Sequence, residues 1–258
     1  MTPLETIEAL SSEQISVVAR SSIEPPAAQV LEAAGFRWLL NGGSSVQSLM
    51  SVDSPTTLLL PNHIAMLYGL LLLDSADSIL SLGMGGGSFE RFLHQQYPNS
   101  SIVSVEPDQD IIRLAHEFFG IPSSVQVASS SAEEFVCKTK QQFDLVLCDI
   151  FEREIHPACL TSRSFYQDVK SIMDPDGVLA LNTTPHSQKE MLDILQSLRN
   201  SFSVVYLATI HSRGNVVVIA KNGVTEPTDV ICSRADIFLD NTDVSLAEWV
   251  DAFKLIPF

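Results

Sequence analysis

Residues 78–87 read Ser-Ile-Leu-Ser-Leu-Gly-Met-Gly-Gly-Gly, and this stretch decides the fold. Ser78 to Leu82 is short, apolar and bounded by a glycine turn, the pattern of a buried strand. Glycines at 83, 85, 86 and 87 let the backbone turn sharply and come close to a ligand. Beyond them Phe89, Phe92 and Leu93 share one helical face, and Pro98 lies just past the end of that helix. A strand, a glycine turn and a helix in succession present helix N–H groups to a bound group.

Working outward, strands and helices alternate. Ile102–Val105 is the next strand, and Asp108 caps a helix carrying Ile111, Ile112, Ala115 and Phe119. A short strand at 125–128, a helix at 132–139 and a strand at 143–148 follow. Thr161 is expected to cap a helix with Phe165, Val169 and Ile172, and Asp176-Gly177 to turn into a strand at 178–181. After a helix at 187–199, strands at 204–208 and 216–220 are joined too closely for a crossover helix, so they should be antiparallel. The alternation predicts a Rossmann-like, doubly wound α/β fold with a seven-stranded, mostly parallel sheet. Ligands of such sheets bind at the carboxyl ends of the strands, near the switch point.

Upstream, β-like runs at 15–19, 29–32, 37–40 and 46–50, with the hairpin turn Asn41-Gly42-Gly43, predict a small antiparallel appendage. The organisation expected is a β-hairpin region at 1–61, a nucleoside-binding domain at 62–223 and a packing tail at 224–258 that ends in a helix near 246–254.

Composition narrows the partners. The 258 residues include 31 acidic and 15 basic side chains, a formal charge of −16, with lysines and arginines scattered singly. Such a surface repels phosphate backbones, which argues against nucleic acid, and it attracts small cations. The four cysteines form no C-x-x-C pair, so neither a metal site nor a redox pair is indicated, and a reduced cytoplasmic setting is expected. Residues 1–9 lack the charge and apolar pattern of a signal peptide. The apolar run 64–73 is too short to span a bilayer and reads as a core helix.

Three elements carry candidate chemistry. The turn is G-x-G-x-G, and Ser88 stands where a dinucleotide fingerprint needs Gly or Ala, so Gly83, Gly85 and Gly87 suit a nucleoside better than a pyrophosphate. Glu106 closes the second strand, where a carboxylate can accept both ribose hydroxyls. Asp149 and Glu152 follow the strand 143–148, where acids can orient or deprotonate an amine or hold a polycation. A turn or capping role for Asp149 is the plainer alternative. His63 precedes the apolar run and either faces the pocket or packs. His156 and His211 carry no ligand spacing, and no G-x-S-x-G elbow surrounds Ser88.

Together, residues 79–91 (ILSLGMGGGSFER), Val105-Glu106-Pro107-Asp108 and Phe143–Phe151 (FDLVLCDIF) resemble the spermidine-synthase-like group of the class I methyltransferase fold. Pro157–Thr161 with Phe165, Asp176–Asn182, and Leu39–Gly42 with Val46-Gln47-Ser48 extend the resemblance over about 36–220. The resemblance implies an aminopropyltransferase that takes decarboxylated S-adenosylmethionine and a small amine, often as a homodimer. Glu106 would hold the ribose, Asp149 would position and deprotonate the amine, Glu152 would be a second substrate acid, and Gln47 a glutamine of the gate hairpin. Three positions depart from the pattern. Gly86 stands where the synthases carry an Asp that grips the donor's free amine, Ser131 where an Asp reads adenine, and Asn62 where a tyrosine is expected. A methyltransferase using intact S-adenosylmethionine, or a binding protein without turnover, are the alternatives.

Overall fold

The computed structural model describes residues 1–22, 27–151, 157–211 and 214–257. Helix α1 (Pro3–Glu8) leads into β1 (Ser16–Arg20), β2 (Ala28–Ala33), β3 (Phe36–Asn41) and β4 (Val46–Ser51), an antiparallel sheet in the order β1-β2-β3-β4. The turn expected at Asn41-Gly42-Gly43 joins β3 to β4. Trp38, Leu49 and Leu60 pack with Ile7 on one face of this sheet. Ala28, Val30, Leu39 and Met50 meet Ile111, Leu114 and Phe119 on the other, tying it to the larger layer.

That layer begins with α2 (Pro61–Met66), continued by a 3-10 turn at Leu67–Leu72. There follow β5 (Ser78–Leu82), α3 (Ser88–Gln96), β6 (Ser101–Val105), α4 (Gln109–Phe118), β7 (Gln126–Ala128), α5 (Ala132–Lys138) and β8 (Phe143–Cys148). Then come α6 (Arg163–Ser171), β9 (Met173–Thr183), α7 (Gln188–Arg199), β10 (Val204–Ile210), β11 (Asn215–Lys221), α8 (Thr228–Thr242), α9 (Ala247–Ala252) and β12 (Lys254–Leu255). The strand order is β12-β10-β11-β9-β8-β5-β6-β7. β5 pairs in parallel with β6 and β8; β11 runs antiparallel to β10 as expected, and antiparallel to β9 as well. Alternate residues bury opposite faces: Ile79, Leu145 and Ala180 one, Leu80, Val146 and Leu179 the other.

Several expectations need correction. An eighth strand, the two-residue β12, adds to the edge beyond β10. The segment 224–258 holds α8, whose Ile231, Ala235 and Phe238 are buried against the core. These three fall at spacings of four and three, a helical stripe that the polar residues between them mask. Asp176-Gly177 does not start the strand but lies in a bulge within it, since Phe143 pairs with Met173 and Leu145 with Val178. Ser162, not Thr161, occupies the N-cap of α6, and its side chain makes no capping bond. Asp108 does cap α4, its Oδ1 accepting from the N–H of Asp110 and Ile111.

Register fixes the site. Leu82 stands opposite both Val105 and Cys148, so Gly83, Glu106 and Asp149 are the next residues on three adjacent parallel strands. Neighbouring strands lie about 4.8 Å apart, so the three leave the sheet at one rim. Cys148 pairs with Leu181 and Asn182 with Val217, which brings the end of β9 and the start of β11 to the same rim.

Candidate active site

The rim opens on a cavity of about 250 Å³, just below the roughly 300–1,000 Å³ range of small-molecule sites. One wall is the turn after β5. Gly83 has φ +87°, and a Cβ there would lie 2.2 Å from the carbonyl oxygen of Asp149. Only glycine permits that approach, which is locked by Gly83 N–H to Val105 O at 2.9 Å and Asp149 N–H to Leu82 O at 2.8 Å. Gly83 and Gly85 line the cavity. Gly87 stands behind them as the N-cap of α3 with φ +69°, where a Cβ would strike Ile121. Gly86 donates its N–H to Ser48 Oγ on β4 at 2.8 Å, and a Cβ on Gly86 would come within 2.8 Å of Ser48 Cβ. The appendage therefore occupies the space that a side chain at 86 would need. The Arg91 guanidinium holds the Gly86 carbonyl from below and also donates to Phe119 O at 3.0 Å. Burial pushes its pKa down to about 10.

Glu106 is drawn over this turn. Its Oε2 accepts from the N–H of Met84 at 3.3 Å and Gly85 at 3.4 Å, and Oε1 accepts from Asp108 N–H at 3.1 Å. Burial raises its pKa, and the three N–H groups offset part of that rise.

The opposite wall is a chain of side chains. Asp149 Oδ1 accepts from Asn182 Nδ2 at 2.7 Å, and Asn182 Oδ1 accepts from Asn215 Nδ2 at 2.9 Å. Asn215 Nδ2 also reaches Thr184 Oγ1 at 3.2 Å. Asp149 Oδ2 lies 3.1 Å from His63 Nε2. His63 packs its ring 4.7 Å from that of Phe89.

The structure thus brings Gly83, Gly85, Glu106, Ser131, Asp149, Gln47 and His63 to one cavity. Ser131 lines it from the N-cap of α5, where its Oγ is engaged with Glu134 N–H at 3.2 Å. Glu152 lies outside the described residues. Sequence reading missed the parts played by Asn182, Asn215, Thr184 and Ser48. A signal existed for Asn182: it is an amide closing the apolar run Val178–Leu181, and a buried amide needs partners. Asn215 had none, because only the antiparallel turn of β11 carries it to the rim.

The comparisons agree with this architecture. A model of the spermine/spermidine synthase domain matches residues 63–221. A polyamine aminopropyltransferase of Chromobacterium violaceum is 28% identical over 236 residues, covering 89% of this chain and 90% of the relative. A solved spermidine synthase in complex with the transition-state analogue AdoDATO superposes with a TM-score of 0.67 at 18% identity, covering 89% of this chain and 82% of that one. Human methyltransferase-like protein 13, solved in complex with SAH, gives 0.66 at 23% identity over 71% of this chain and 93% of that one. These two show the shared fold alone. With a family domain spanning more than half its length, residues 63–221, this chain belongs to the spermine/spermidine synthase family.

Proposed function

We propose that this chain transfers the aminopropyl group of decarboxylated S-adenosylmethionine to a small primary amine. The observation that carries the reading is the shared rim: a wall of glycines and Glu106 faces a half-buried carboxylate, Asp149, across one cavity, in a chain of this family. In the reaction the amine lone pair forms a bond to the methylene carbon beside the sulfonium. The carbon–sulfur bond breaks, methylthioadenosine leaves, and the amine sheds a proton. Glu106 accepts the ribose hydroxyls, exchanging the backbone N–H bonds it now holds for charge-assisted ones to the ligand. Ser131 and the turn at Gly83 and Gly85 flank the base and sugar. Gln47 closes over the acceptor from the hairpin side, and Glu152 is assigned to the acceptor as a second acid. Asp149 orients the amine and balances the positive charge that develops on it. The net charge of −16 draws a cationic acceptor toward the site. The same roles divide the chain at 61 and 223 into hairpin region, nucleoside-binding domain and tail.

One observation favours a second reading, methyl transfer from intact S-adenosylmethionine. Gly86 leaves the turn without a carboxylate, so nothing there repels the carboxylate of the intact donor.

Incubation with putrescine and either donor separates the two. Methylthioadenosine from the decarboxylated donor alone supports aminopropyl transfer, and S-adenosylhomocysteine from the intact donor supports methylation. Neither product, with nucleoside bound, would leave a binding protein. Asp149→Asn is expected to lower kcat by at least about 10²-fold while sparing methylthioadenosine affinity. Full activity in that variant removes Asp149 from the reaction.

A further inference from the structure

Among the described residues, the carboxylates that line the cavity are Glu106, Asp149 and Glu133. The first two are engaged. Glu106 accepts from the N–H groups of Met84, Gly85 and Asp108, and Asp149 accepts from Asn182 and faces His63. The Glu133 side chain has no hydrogen-bond or ion-pair partner among the described residues. It stands on the first turn of α5. Ala132, just before it, packs in one apolar cluster with Val105 at the end of β6 and with Cys148 and Ile150 at the end of β8. Ala65, Met66 and Phe89, which surround His63 in the chain or in space, belong to the cluster on the other face of the sheet. Glu133 is therefore across the sheet from His63, on the side of the rim that carries Glu106. Burial raises the pKa of the Cys148 thiol, and Cys159, Asp149 and Glu133 add to the rise, so the Glu133 charge is felt at the end of β8. Pro107, Ala132, Ile150 and Phe151 follow the same strand ends and give this part of the lining apolar surface, which suits the faces of a planar base. Ser131 lies two residues away with its Oγ accepting from Glu134 N–H at 3.2 Å. No lysine or arginine lines the cavity among the described residues. An ionised carboxylate offers acceptors only, so beside an apolar slot it draws a ligand N–H and repels a ligand oxygen.

We propose that Glu133 reads the base of the bound nucleoside, its carboxylate accepting from the exocyclic 6-amino group of adenine and turning away a 6-oxo base. The inference rests on the adenosine-type donor of the transfer reading above and assigns the residue that selects it. A 6-amino group brings two N–H donors to a carboxylate that nothing in the chain occupies. A 6-oxo base brings an oxygen to the same place, and two acceptors then face each other with no hydrogen between them. Glu133 is a specificity residue in this arrangement. It lies at the base, away from the sulfonium and the amine, and takes no part in bond making.

Titration calorimetry with methylthioadenosine and methylthioinosine tests this. The second carries a 6-oxo group and an N1 proton in place of the 6-amino group. Wild type is expected to prefer methylthioadenosine by at least about tenfold. In Glu133→Gln the amide can turn its N–H toward a 6-oxo group, so the preference should shrink to within about threefold. Glu133→Ala should lose methylthioadenosine affinity and leave methylthioinosine affinity as it was. Glu134→Gln, whose wild-type carboxylate is bound to Lys138 outside the cavity, should keep the wild-type ratio. A carboxylate that only favours the helix N-terminus would change Tm and leave the ratio of affinities alone. Equal binding of the two nucleosides by wild type, or the wild-type ratio in both Glu133 variants, overturns the proposal. So does a raised KM for putrescine in Glu133→Gln with the ratio unchanged, which would give Glu133 to the acceptor's ammonium instead. Failure of the underlying reading looks different. A wild type that prefers methylthioadenosine but makes no product loses the transfer reading and keeps the base reader, whereas a wild type that binds neither nucleoside loses both.

Discussion

The two walls of the cavity are built from different materials. The wall that we assign to the donor is backbone: Gly83, Met84 and Gly85 present main-chain atoms, and the Glu106 side chain laid over them is itself held by the N–H groups of Met84 and Gly85. The wall that we assign to the acceptor is a run of side chains, Asn215 to Asn182 to Asp149 to His63, each held by the next. The difference teaches where change is tolerated. A backbone wall has few variants, because a Cβ at Gly83, or at Gly87 behind it, enters space already filled. A side-chain wall can exchange one member and keep its shape, so specificity for the acceptor can drift while the nucleoside site stands. Two of the three departures, at 86 and 131, fall on the donor side, yet the backbone contacts there remain. Gly86 keeps its backbone contact with Ser48, and Ser131 still caps α5.

The sharpest way to break the comparison is at Gly83. Gly83→Ala forces a Cβ to within 2.2 Å of the Asp149 carbonyl at φ +87°. The left-handed conformation alone costs about 1–3 kcal/mol, and the clash pushes two strand ends apart. Because that carbonyl belongs to the acceptor wall, both methylthioadenosine binding and turnover should be lost, with a clear fall in Tm. Retained binding would show that the turn is less tightly joined to β8 than the geometry requires. A change confined to the other wall should act on one function only. Asn182→Ala removes the donor to Asp149 Oδ1 and leaves a half-buried carboxylate oxygen without that partner, worth about 1 kcal/mol or more. If that loss falls on the transition state, kcat drops roughly 10–100-fold with methylthioadenosine affinity unchanged. Titration calorimetry beside steady-state rates checks the split, and equal loss in both would merge the two walls into one unit.

The two walls were also unequally legible in the sequence. The donor wall is local: a strand, a glycine turn, a helix and an acid one strand later are all read along the chain. Parallel pairing then placed Gly83, Glu106 and Asp149 together without further information. The acceptor wall is assembled from α2, β8, β9 and β11, and nothing in 182 or 215 announces the other. Asn215 reaches the rim only because β11 is antiparallel, and Ser48 only because the hairpin folds onto the turn. Helix α8 was hidden for a different reason. Its stripe of Ile231, Ala235 and Phe238 is thin, and Asp229, Asp236 and Asp240 interrupt the periodicity that usually betrays a helix.

Beneath the donor wall lies a group that the chemistry does not use, and its behaviour with pH is the smallest of the expected effects. Glu90, on the first turn of α3, is buried and accepts from Ser104 Oγ at 2.6 Å, while its Oε2 has no hydrogen-bond partner among the described residues. Burial raises its pKa above the ordinary 4.5, against the lowering pull of Ser104 and Ser81. Between the ordinary and the raised value, the folded chain holds a proton that the unfolded chain has released. Stability therefore falls as pH rises through that window, since the native state binds more protons there. The contribution is whole below the ordinary value and is lost as pH passes the raised one. Glu90→Gln removes this titration and keeps an oxygen for Ser104. Its Tm should fall less than that of wild type as pH is raised from the carboxylate range toward neutrality. Glu106, shifted in the same direction by burial, remains in the variant, so the slope should shrink rather than vanish. Parallel Tm curves for the two proteins would mean that Glu90 is ionised throughout, and that the backbone wall rests on a buried charge instead of a neutral carboxyl.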